Sequence, residues 1–258
     1  MKLAFREYGQ GTPLIILHGL FGQSDNWNTL AKQFGEKGFR VFTIDQRNHG
    51  LSPHNELWNY EHMAHDLKEF IDEHQLDKPI LMGHSMGGKT VMFFENLFPT
   101  IASKVIICDI AARVYPPHHE EVLKALHAVD FNVVKTRKDA EAALGLHIAD
   151  HGTKQFLLKN IYWKDTANNI MDWRFNLKAI SNNYDEIRCP VPKYTNNKPC
   201  LVVKGEKSNY ITKEDELDFK DRYPNAKFTT IEGSGHWVHA EKPKEFFDCI
   251  MGFLSQTD

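Results

Sequence analysis

A serine flanked by glycines, Gly83-His84-Ser85-Met86-Gly87, follows the apolar run 79–82 and precedes the helix-like run 89–98. Strand, sharp turn and helix with G-x-S-x-G at the turn is the pattern of a nucleophile elbow. The glycines belong to it because the flanks of so tight a turn pack closely and leave no room for a Cβ. Such a turn lifts a serine oxygen above the end of a sheet, beside a helix N-terminus whose free N–H groups and dipole favour developing negative charge. The chemistry this serves is nucleophilic attack on a carbonyl.

A serine is a weak nucleophile at neutral pH and needs a base, which in turn needs an orienting partner. On a strand–turn–helix scaffold these follow the serine in the order acid, then histidine. With 14 histidines in the chain, position decides. His236 lies in Gly233-Ser234-Gly235-His236-Trp237, between the last expected strand and the last expected helix, where glycines let a loop curl over the sheet edge. His239 is the reserve. For the acid, Asp109 ends the expected strand 104–108, next to the elbow strand, and is the first choice. Glu206, just after Gly205 beyond the next-to-last strand, is the alternative; Ser208 stands where an aspartate would be sought.

An oxyanion needs two N–H groups aimed at one point. Met86, directly after the serine, supplies one, and the loop His18-Gly19-Leu20-Phe21-Gly22 the other, through Leu20 first and Phe21 second. The polar loop Asp45-Gln46-Arg47-Asn48-His49-Gly50-Leu51-Ser52 reads as self-bonding scaffold rather than as an anion site built on Arg47. His18 and His84 read as structural hydrogen-bonders. Gly83-His84-Ser85-Met86-Gly87-Gly88-Lys89-Thr90 has the spacing G-x-x-x-x-G-K-[ST] of a phosphate loop, but it is read as the serine elbow and not as a phosphate loop. No metal-ligand spacing occurs, so neither metal nor cofactor is expected.

These residues need a sheet to carry them. Apolar runs at 3–8, 13–17, 39–44, 79–83, 104–108, 199–204 and 226–231 alternate with helical periodicity at 27–37, 60–74, 89–98, 213–222 and 244–254. That alternation specifies a mostly parallel α/β sheet. It stops between 111 and 190, where helical patches are expected at 120–129, 138–148, 154–162 and 174–182, with no buried strand. The expected organisation is a core of 1–110 and 191–258 with 111–190 inserted as a helical cap over the cleft. Phe156, Tyr162, Trp163 and Trp173 are candidates for an apolar acyl site there, against the plainer reading as packing.

At 258 residues, 41% hydrophobic and 25% charged, the chain suits one α/β core with an insertion. A net charge of −3 predicts no strong attraction to nucleic acid or acidic membranes, so neither is an expected partner. The charged N-terminus is unlike a signal peptide, and no apolar run reaches the ~18 residues of a membrane span. Cytoplasm is therefore the expected compartment, with Cys108, Cys189, Cys200 and Cys249 as free thiols. No feature assigns an oligomeric state.

Taken together, the His18-Gly19 loop, Asp45-x-Arg47-x-His49-Gly50-x-Ser52, Gly83-x-Ser85-x-Gly87 and Gly235-His236 resemble the α/β-hydrolase superfamily. Within it, Leu17-His18-Gly19-Leu20-Phe21-Gly22 with Asp25-Asn26-Trp27, Gly87-Gly88-Lys89, Asp109-Ile110-Ala111 and Trp173-Arg174-Phe175-Asn176-Leu177 are similar to the YbfF-type esterases. The resemblance implies an α/β-hydrolase fold, an acid taken from the strand after the elbow (Asp109), and hydrolysis of small acyl esters, with acyl-CoA thioesters as an extension. The alternatives are carbon–carbon hydrolysis, perhydrolysis or a lyase step on the same residues, or a hydrolase-fold ligand-binding protein without turnover. An aspartate-nucleophile dehalogenase is disfavoured by Ser85.

Overall fold

In a computed structural model, which describes residues 1–256, branched and aromatic runs form a seven-stranded sheet. Its strands are β1 (Phe5–Tyr8), β2 (Thr12–Leu17), β3 (Phe39–Ile44), β4 (Ile80–His84), β5 (Lys104–Cys108), β8 (Cys200–Gly205) and β9 (Lys227–Ile231). They lie in the order β1-β3-β2-β4-β5-β8-β9, all parallel except β1, which runs antiparallel to β3. Alternate residues of the central strands feed opposite cores. Ile15, Leu17, Val105, Ile107 and Val202 join one core; Leu14, Ile16, Ile106, Leu201 and Val203 join the other. Helices α1 (Asn28–Glu36) and α10 (Pro243–Leu254) cover the second face through Leu30, Phe34, Phe246 and Ile250. Helices α2 (Tyr60–Glu73), α3 (Met86–Leu97) and α8 (Lys213–Arg222) cover the first through Met63, Leu67, Val91, Phe94 and Phe219.

Helix ends follow capping chemistry. Asn59 accepts from His62 N–H at 2.9 Å to start α2, and Thr212 forms a capping box with Asp215 at α8. The expected helix at 27–37 opens as a 3-10 turn, Ser24–Trp27, before α1 begins. A short helix that periodicity did not announce, α9 (Val238–Glu241), precedes α10.

Between β5 and β8 the chain forms α4 (Glu120–Ala128), α5 (Arg137–Gly145), α6 (His151–Leu158), an antiparallel hairpin of β6 (Ile161–Asp165) and β7 (Ile170–Trp173), and α7 (Leu177–Asn182). The hairpin corrects the expectation of a purely helical segment: the helix sought at 154–162 stops at Leu158. Ile161, Tyr162 and Trp163 suit a strand, and Asp165 closes the turn by accepting Ala167 and Asn168 N–H at 3.0 and 3.1 Å, with Asn169 at φ +52°. Because the hairpin is half exposed, it lacks the continuous apolar run that marks a buried strand. Helix α7 starts three residues later than expected, where Asn176 accepts from Ala179 N–H at 3.2 Å.

Side-chain tethers hold this segment to the rest, four of them central. Lys89 Nζ donates to the carbonyls of Arg113, Arg188 and Cys189 at 2.9, 3.3 and 2.6 Å. Asn160 Nδ2 donates to Phe21 O at 2.8 Å, Asn176 Nδ2 to Asn48 Oδ1 at 3.2 Å, and Tyr60 O–H to Ile187 O at 2.9 Å. Among the described residues, no helix is long and apolar enough to cross a membrane, and the four cysteines are unpaired.

Candidate active site

Strands β4, β5 and β8 end side by side and present the site. Ser85 follows β4 at φ 53°, ψ −119°, a conformation costly for any residue with a Cβ, and its N–H donates to Cys108 O at 2.9 Å. The glycines around it are required by contact: a Cβ on Gly83 would stand 2.2 Å from Gly87 O, and one on Gly87 would stand 2.4 Å from Leu17 O. Asp109 follows β5 with φ +51°, in the left-handed region that aspartate tolerates better than most residues. Its N–H donates to Val203 O at 2.8 Å, so the ladder that aligns β5 with β8 also fixes the acid.

These residues converge with His236. The carboxylate of Asp109, fully buried, accepts from His236 Nδ1–H at 2.7 Å on Oδ2 and from Gly205 N–H at 3.0 Å on Oδ1. A carboxylate only accepts, so the His236 proton is on Nδ1, and Nε2 is left to accept from Ser85 Oγ–H at 3.0 Å. The loop bearing His236 is pinned from several sides. Glu241 accepts Gly235 and Trp237 N–H at 2.8 and 3.2 Å, and His84 Nε2–H donates to His236 O at 2.8 Å.

Glu206 lies elsewhere. It is exposed, and its carboxylate accepts Gly233 N–H at 2.8 Å, bracing the His236 loop without touching the imidazole. His239 is buried and stacks on Trp27 with ring centroids 4.0 Å apart; it makes no bond to Ser85. Burial pushes its pKa down to about 3.

Leu20 and Met86 both offer N–H groups with no acceptor among the described residues. The first turn of a helix leaves Met86 N–H free by construction. Phe21 N–H is instead taken by His49 Nε2 at 3.3 Å, which separates the two candidates in that loop. His49 donates from Nδ1 to Arg47 O at 3.0 Å, and His18 from Nδ1 to Gly19 O at 2.8 Å while accepting Gln46 N–H at 3.0 Å. Burial holds both neutral, pushing His49 down to about 3 and His18 to about 4, and drives His84 well below the usual histidine range. Arg47 is likewise scaffold: it is buried, grips Asp66 at 2.5 and 2.7 Å, and donates to Leu57 O at 2.6 Å.

A cavity of about 330 Å³ opens over Ser85. Of the four aromatic residues considered for an acyl site, Phe156 lines it. Trp173 is buried against Phe175, Trp163 is half exposed, and Tyr162 lies under Arg174. Sequence reasoning missed two neighbours of the site. Ser208 Oγ–H donates to Asp109 Oδ2, and Tyr210 stacks flat on His236 with centroids 3.8 Å apart. The signal for Ser208 was its place where an acid was sought; nothing in the pattern marked Tyr210.

Residues 12–243 match the family model of the alpha/beta hydrolase fold. The chain is 35% identical to esterase YbfF of Escherichia coli over 247 residues, covering 95% of this chain and 93% of that protein. It is 40% identical to a Haemophilus influenzae protein described as an esterase or lipase, over 95% of this chain and 83% of the other. A solved marine microorganism esterase superposes with a TM-score of 0.95 at 40% identity, covering 98% of this chain and 99% of that one. The chain belongs to the α/β-hydrolase fold family.

Proposed function

We propose that this protein is a serine hydrolase of carboxylic esters, with 1–110 and 191–258 as its core and 111–190 as a cap over the cleft. Ser85 Oγ attacks the carbonyl carbon as His236 Nε2 takes its proton, and Asp109 stabilises the resulting imidazolium through Nδ1–H. The oxyanion sits between Leu20 and Met86 N–H. The bond from carbonyl carbon to alcohol oxygen then breaks, with Nε2–H protonating the leaving oxygen, and an acyl-Ser85 remains. Water, deprotonated by Nε2, attacks this ester; the carboxylic acid departs and Ser85 regains its proton. Thioesters, acyl-CoA among them, present the same electrophilic carbonyl and fall within the reading. No step calls for a cofactor.

The observation that carries the proposal is the unbroken line from Ser85 Oγ through both nitrogens of His236 to Asp109, beside two unpaired N–H groups. Ser85→Ala is expected to lower kcat on p-nitrophenyl esters by ~10⁶ with thermal unfolding unchanged. A fluorophosphonate should label Ser85 in the unaltered protein and leave the variant unlabelled. Retained turnover in the variant would end this reading.

A further inference from the structure

Two cavities of very different size meet at Ser85. The large one, about 330 Å³, is bordered by His236, Trp237 and Phe156. The small one, about 30 Å³, is bordered by Met86, Ile110, Tyr115, Ile187 and Tyr210. Leu20, Ser85 and His119 border both; His236 borders the large one alone. Tyr210, whose ring lies on the imidazole at an interplanar angle of 14°, stands at the border of the small one.

Resting on the ester-hydrolase reading above, the geometry points to a substrate with a short acyl group and a bulky alcohol, the acyl group seated in the small cavity and the alcohol in the large one. A tetrahedral carbonyl carbon has four substituents. One is Ser85 Oγ, and one is the oxyanion held by Leu20 and Met86 N–H. The leaving oxygen must lie within hydrogen-bond reach of His236 Nε2, because the nitrogen that takes the serine proton returns it there. That places the alcohol in the cavity His236 borders. The acyl carbon takes the remaining direction, past Met86 into the small cavity. A volume of 30 Å³ accommodates roughly two water-sized groups, so acyl chains from acetyl to about propanoyl fit.

The isomers hexyl acetate and ethyl hexanoate separate this assignment from its reverse, since they share a formula and differ only in which side of the ester is long. Hexyl acetate is expected to have the higher kcat/KM by ~10–200-fold, the range that misfit methylenes cost in a closed apolar pocket. Ile187→Ala, with Ile187→Val as the milder change, should bring the ratio towards unity by improving ethyl hexanoate. Phe156→Ala should act on hexyl acetate alone. Equal rates, or a preference for ethyl hexanoate, would overturn the assignment. For esters too slow to follow, acylation of Ser85 by p-nitrophenyl acetate against p-nitrophenyl hexanoate, read as a burst, makes the same comparison. Absence of acylation by either, together with no labelling by a fluorophosphonate, would defeat the hydrolase reading instead.

Discussion

The carboxyl edge of the sheet and the segment laid over it are held by different means. At the edge, Ser85 N–H donates to Cys108 O, Asp109 N–H to Val203 O and Gly205 N–H to the Asp109 carboxylate, so three neighbouring strands fix the reacting atoms through their own backbones. The segment 111–190 is instead held mostly by side chains, Lys89 reaching three carbonyls and Asn160, Asn176 and Tyr60 one oxygen each, beside a backbone bond from Asn176 N–H to Asn48 O at 2.8 Å. A site built on strands keeps sub-ångström placement, whereas walls on tethers can be exchanged without disturbing it. On the proposed function the chemistry rests on the sheet edge, and the segment adds part of the cavity walls, Phe156 and Ile187 among them.

The largest effect that would break this division concerns the acid. Asp109→Asn is expected to lower kcat by ~10⁴, because the amide no longer holds His236 in the Nδ1–H form. Glu206→Gln retains an acceptor for Gly233 N–H and should cost less than ~10-fold in the same assay. A larger loss in the Glu206 variant would move the orienting group from the sheet edge to the loop that follows it.

A second difference is acid sensitivity, which should reside mainly in the sheet edge, with His119 of the segment, pushed down to about 3 by burial, adding to it. Burial lowers the pKa of His18 to about 4 and of His49 and His239 to about 3, while in the unfolded chain they titrate near 6.5. Below pH 6.5 the unfolded state therefore binds the protons first. The stability these residues contribute is fully present above pH 6.5 and is lost as pH falls towards 4. At pH 5 the loss is ~2 kcal/mol for each. Urea unfolding at pH 7.5, 6 and 5 should show a falling midpoint, and His239→Phe should recover about one fifth of the drop, because burial lowers the pKa of His84 and His119 as well. A flat profile would mean that these rings are already charged or exposed.

How far these features could be read beforehand follows the same division. Strands 39–44 and 104–108 and helix 213–222 were legible to the residue, because two-sided burial and a Thr–Asp capping box leave sharp marks. Ser85 and His236 were legible because glycines must surround them. The hairpin at 161–173 was not, since half-exposed strands lack a continuous apolar run, and the segment's aromatics serve packing at Trp173 and the cavity at Phe156 without any difference in local pattern. Choosing between Leu20 and Phe21 needed the His49 contact, and the Tyr210 stack on His236 joins residues far apart in the chain through spatial placement alone.

The smallest expected change in overall stability is the sharpest probe of the tethers. Lys89 is buried, faces the rings of Tyr60 and Tyr115, and has its pKa pushed down to about 8 by burial. Lys89→Met removes a buried charge, a gain, and leaves the carbonyls of Arg113 and Cys189 without the Lys89 donor, a loss of ~1–3 kcal/mol for each that water cannot reach, while Arg188 O keeps Tyr115 N–H at 3.2 Å. The two offset, so the global unfolding midpoint should move little. The local result should not be small, because those carbonyls lie on the two stems by which 111–190 leaves and rejoins the sheet. Hydrogen exchange followed by mass spectrometry should show faster exchange across α4 to α7 and the hairpin, with β4, β5 and β8 unchanged. Discrimination between hexyl acetate and ethyl hexanoate should weaken in parallel, while the rate of fluorophosphonate labelling at Ser85 stays within a few-fold. Equal loss of protection in the sheet would mean that segment and sheet unfold as one unit, and the contrast between backbone-built and tethered regions would fall.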